Sequence, residues 1–155
     1  ALGGLSDGVY PLQQTGGMGQ DTFNSPSVFN YYPADYEVPG TTLEGPQFGI
    51  MNAASAFARS NFIYGLTFGT AGAPDSSVPN ATGTRVDLSG YTALAADPAA
   101  LADAVGAAMI PGQMTPELRS AIATAVATLP AGSALDRVRA TVYLIATSPY
   151  FQIDR

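Results

Sequence analysis

The sequence predicts a mostly α fold, a small helical bundle with an irregular, aromatic-rich N-terminal third. Two helix starts stand out at Asp97-Pro98 and Thr115-Pro116, where a capping side chain precedes a proline at the first helical position. Apolar residues then recur at spacings of three and four. By contrast, residues 19–36 crowd Phe23, Phe29, Tyr31, Tyr32 and Tyr36 around Pro26 and Pro33, and the prolines and turn-formers there prevent one long helix. The 155 residues are expected to form a single domain. It divides into an irregular aromatic segment over 1–45, a long helix over 46–66, a loop over 67–90 and helices over 91–155.

Residues 1–18 are rich in glycine and lack periodicity. Ala1 to Leu5 read as the frayed end of a helix whose body lies upstream, as in a piece of a longer protein. Gly16-Gly17 and Gly19 read as turn residues, since a phosphate-cradling loop needs a strand before it and a helix after it. The rings that follow need burial, and the segment is expected to lie beneath the later helices as the body they rest on. The long helix opens at Gly45-Pro46, carries Phe48, Met51, Ser55, Ala58 and Phe62 on one stripe, and ends at Gly65 and Gly69. Arg59 is either solvated or paired with a carboxylate such as Asp35 or Glu37.

The loop contains a short extended piece at Thr84 to Leu88. Asn80-Ala81-Thr82 matches a glycosylation acceptor, which matters only in a secretory eukaryotic setting. Asp75 and Asp87 offer oxygen ligands for calcium at a spacing that fits no EF-hand. A short turn from Ser89 or Gly90 leads to the first C-terminal helix, with Leu101, Val105 and Ala108 on one face as far as about Met109. The next carries Leu118, Ile122, Val126 and Leu129. Ser133 and Asp136 resemble a capping box for the last, which presents Leu135, Val138, Val142 and Ile145, with Arg137 and Arg139 on its polar side. Ser148-Pro149 stops it, and residues 150–153 leave as a tail. These Ala-rich faces are narrow and bury little, so the helices are expected to need the aromatics of the first half.

Composition closes off many functions. There is no Cys, His, Lys or Trp. That removes thiolate nucleophiles, zinc–sulfur sites, imidazole bases and Schiff-base lysines. No catalytic, cofactor or metal residues are assigned. A net charge of −6 with six arginines argues against nucleic acid and anionic membranes, and no apolar run is long enough to span a bilayer. Few charges, many Tyr, Ser, Thr, Asn and Gly, and no Lys or Cys suit an extracytoplasmic protein.

Three stretches carry a resemblance: Met18 to Gly40, Gly45 to Ile63 and Arg137 to Arg155. Within them stand Gly19-Gln20, Pro26-Ser27-Val28-Phe29-Asn30-Tyr31-Tyr32, Pro46-Gln47-Phe48 and Ser148-Pro149-Tyr150-Phe151-Gln152. Together they resemble the C-terminal portion of the domain-of-unknown-function 1800 family, a group of bacterial proteins, usually exported. Gln47 and Tyr150 stand where the family usually has Glu. The resemblance implies an exported protein. The family's His-containing and Asn-Glu-Asn-Tyr-type motifs would lie upstream and are absent here, and no settled activity follows from it.

Three functions compete. The first is a non-catalytic extracytoplasmic structural or interaction module that packs on an upstream part of the same protein or on another subunit. The second is a carbohydrate-binding module for a neutral glycan, in which Tyr31, Tyr32 and Tyr36, with Asn30 and Asp35, form the ligand site, and Tyr10, Tyr64 and Tyr91 add further rings. The third is a hydrolase with two carboxylates drawn from Asp21, Asp35, Glu37 and Glu44.

Overall fold

In a computed structural model, which describes residues 3–69 and 72–152, the chain is mostly helical with one small sheet. The order is β1 (Gly3–Ser6), α1 (Val9–Thr15), a 3-10 turn (Pro46–Ile50), α2 (Ala53–Thr67), β2 (Thr84–Asp87), a second 3-10 turn (Ser89–Leu94), α3 (Pro98–Met109), α4 (Pro116–Ala127), α5 (Ala134–Ala146) and the short α6 (Pro149–Gln152).

The core belongs to the C-terminal half. Leu101, Val105, Val126, Val138 and Ile145 are fully buried where α3, α4 and α5 meet, and Leu88, Ala95 and Ile110 close the cluster. Among the described residues, none before Val86 joins it. The helices therefore close on one another without the aromatic segment, contrary to expectation. Phe23 is 99% and Phe29 68% exposed, and Tyr31, Tyr32 and Tyr36 are half-buried. Each helical face is narrow, but Ala102 is fully buried beside Leu101 and Val105, and Gly106 leaves room for the Met114 side chain.

The helix starts follow local chemistry. The Asp97 carboxylate accepts from Ala99 and Ala100 N–H, and the Thr115 hydroxyl from Leu118 N–H. Ser133 makes no side-chain cap, and the Asp136 carboxylate pairs with Arg139 at 3.3 Å. The expected long helix is two pieces. Pro46 opens only the first 3-10 turn, and α2 begins after Asn52. There the Asn52 side chain accepts from Ser55 N–H, and the buried Ser55 hydroxyl accepts from Asn52 N–H and donates to Ile50 C=O at 2.6 Å. The stripe expected along it is only partly covered, with Ser55 buried but Met51 38% exposed. Tyr143 of α5 meets Tyr64 and Phe68 edge-on at 6.2 and 6.1 Å, which docks α2 against the bundle.

Further expectations are corrected. Ala1 and Leu2 lie outside the described residues, but Gly3–Ser6 is a strand rather than a helix end, paired antiparallel with β2 so that Leu5 faces Arg85. α1 was not legible; Pro11 sits in its first turn, where its missing N–H is harmless. Ala108 and Leu135 are exposed, off the buried faces. Residues 149–152 form a helical turn, not a free tail, and Ile153 lies outside the described residues. Arg137 is buried, not on the polar side.

The loop before β2 is held by backbone contacts. Thr84 N–H donates to Gly72 C=O at 2.6 Å. Gly72 and Gly83 have φ of 82° and 78°, and a Cβ on either would lie 2.1 or 2.2 Å from a carbonyl oxygen, so only glycine fits. Asp7 ties this loop to β1 by accepting from Thr82 and Gly83 N–H at 2.8 and 2.6 Å. The Gly83 hydrogen bond, with that from Val9, holds the Asp7 carboxyl below its ordinary range. A carboxyl whose folded pKa lies below its unfolded one adds stability above the unfolded value and loses it as pH falls through the folded one. Acidification through and below the ordinary carboxylate range is therefore expected to release this clip. The Gly83 amide resonance should titrate in wild type and stay flat in Asp7→Asn.

Candidate functional site

A groove of about 570 Å³ opens between the N-terminal segment, the Pro46 turn, α2 and the end of α5 with α6. The turn is locked to α2 by Ser55, as described, and to the N-terminal segment by Gly19. Gly19 has a φ of 86° and lies against Ile50, where a Cβ would approach the Ile50 side chain to 3.3 Å. Phe62 lines the groove from α2 and is stacked on Tyr10 of α1 with ring centroids 5.7 Å apart. Phe151 and Gln152 reach it from α6, and the Gln152 amide donates to Ala146 C=O at 3.3 Å.

Arg59 is the one charged residue on its lining among the described residues. It meets neither Asp35 nor Glu37. Its guanidinium donates to Met18 C=O at 3.4 Å and contacts the Met51 sulfur. Arg119 and Arg139, by contrast, are paired with Asp103 and Asp136. No Asp or Glu lines the groove among the described residues, although the chain carries twelve.

The residues proposed from sequence scatter around this groove. Tyr32 lines it. Tyr36 packs with Tyr32 against Gly49 of the Pro46 turn, beside the groove. The Tyr31 hydroxyl donates to Asp21 C=O. Asn30 and Asp35 are exposed, and Asn30 is bridged to Ser27. The three tyrosines are thus half-buried against neighbours rather than displayed together as a stacking face. Glu37 and Glu44 oppose each other across an antiparallel bridge and are exposed, as is Asp35, whereas Asp21 is half-buried and its carboxylate accepts from the Asn24 amide at 2.9 Å. Among the described residues no three acidic side chains come together, and no helix is long and apolar enough to cross a membrane.

Gln20, Gln47, Phe48, Phe151 and Gln152 were not singled out as site residues. They come from the short motifs that carried the resemblance, and Tyr32 ends another. Stretches separated by more than a hundred residues converge on this one groove. A family model described as protein of unknown function (DUF1800) matches residues 7–153. The chain belongs to this family. No curated protein and no solved structure matches it. The DUF1800 match takes in every groove residue named here, from Met18 to Gln152.

Proposed function

We propose that the chain is a non-catalytic interaction module working outside the cytoplasm, and that its loop over residues 21–32 docks on an apolar surface of another protein subunit. The observation that carries this is the exposure of Phe23 at 99%, Val28 at 95% and Phe29 at 68%. Backbone conformation supports it. Phe23 has a φ of 64° and Asn30 of 74°. Asn tolerates the left-handed region, but for a bulky residue such as Phe it is strained. A fold that strains its backbone to hold rings in water has a use for them at an interface, where aromatic side chains serve as anchors. The lack of Cys, His and Lys, with Asp35, Glu37 and Glu44 exposed, supports a role without chemistry of its own. The same composition supports the extracytoplasmic location.

The test places a photo-cross-linking amino acid at Val28 in the native host. The expected result is one discrete adduct with a protein subunit, which disappears in a Phe23→Ser/Phe29→Ser background. No adduct, or one that persists in that background, overturns the reading.

A further inference from the structure

The groove has the make-up of a site for a small molecule with an apolar body and one carboxylate. Its volume of about 570 Å³ lies in the range of ligand pockets, which are apolar cavities with a few convergent polar groups. Phe48, Phe62 and Phe151 supply the apolar wall, together with Met18, Ile50 and Met51. Arg59 supplies the only charge on that wall among the described residues. A guanidinium has five N–H donors, and the contacts to Met18 C=O and the Met51 sulfur occupy two of them. The remainder match the two oxygens of a carboxylate, which arginine binds in a fork at short range. The rest of the chain repels anions, with a net charge of −6, yet every carboxylate of the described residues stays off this wall. Gln20 and Gln47 stand at the same groove with amides that donate and accept.

We infer that this groove binds a small apolar monocarboxylate, its acid group on Arg59 and its body against Phe48, Phe62 and Phe151. The charge of Arg59 sets the sign of the ligand, and the aromatic wall sets its shape. Binding here does not involve the exposed rings Phe23 and Phe29, which do not line the groove, although Tyr32 at the end of the same loop does.

The experiment is calorimetric titration of the full chain with octanoate and 3-phenylpropanoate, and with octanamide and 3-phenylpropanamide as uncharged matches. The carboxylates are expected to bind at least about tenfold more tightly than the amides, the difference that one charge-assisted hydrogen bond supplies. Arg59→Gln should abolish that preference while leaving weak apolar binding, and Arg59→Lys should keep part of it. Ile63→Trp, which fills the groove while keeping the arginine, should weaken both classes. The Phe23→Ser/Phe29→Ser variant should bind as wild type does, which separates this site from the two docking rings. Equal binding of acids and amides, a preference that survives Arg59→Gln, or no heat from any probe at millimolar concentration would overturn the inference.

Discussion

Arg137→Ala is expected to lower the free energy of unfolding by about 3 kcal/mol, the sum of two stranded carbonyl groups and a truncated buried stem. Arg137 is 7% exposed, and no carboxylate faces it among the described residues. Its guanidinium donates instead to Ala95 C=O at 3.0 Å and twice to Leu129 C=O, at 2.7 and 3.2 Å. Leu129 lies just beyond the end of α4 and Ala95 just beyond the second 3-10 turn. Carbonyls at a helix C-terminus lack intrahelical partners and carry partial negative charge. One planar cation thus satisfies the ends of two elements and fixes both to α5. Arg137→Met keeps most of the volume and should still be destabilised, because the carbonyls stay buried and unmatched. Arg137→Lys should recover only part of the loss, since a point charge cannot span both carbonyls. Urea unfolding of the three variants checks the order. A loss within about 0.5 kcal/mol for Arg137→Ala would place the side chain in solvent.

Leu101→Ala should have a comparable or larger effect, about 3–4 kcal/mol. Leu101 is fully buried and is the largest of the fully buried side chains on α3. At roughly 3 °C per kcal/mol for a chain of this size, the melting temperature should fall by about 10 °C. A loss below about 1 kcal/mol would mean that the site collapses freely around the gap and that α3 packs loosely.

The two residues also show how far the sequence could be read. The starts of α3 and α4 were legible because Asp97-Pro98 and Thr115-Pro116 act within one helical turn. The burial of Arg137 is hidden in the sequence because a charged side chain ordinarily faces solvent. Yet Arg137, Thr141 and Ile145 recur every four residues along the buried face, the signal that would have found it. The start of α2 was misplaced because Pro46 outweighed the weaker Asn52 and Ser55 pair, which forms the actual capping box. The largest error concerned the aromatic segment. Ring content measures how much a stretch gains from burial, not whether the fold supplies a place for it. The places were already filled by Val, Leu, Ile and Ala brought together from α3, α4 and α5. The groove was readable only in outline. Its motifs were each visible along the chain, but their convergence depends on Gly19, Ser55 and the turn at Pro46, which no local pattern reveals.

The bundle of α3, α4 and α5 holds the fold and leaves Phe23 and Phe29 of the 21–32 loop exposed. Urea unfolding of Phe23→Ser/Phe29→Ser tests it most directly. The stability should stay within about 0.5 kcal/mol of wild type, as for surface substitutions. A loss of about 3 kcal/mol or more, the size that follows truncation of buried aromatics, would contradict it.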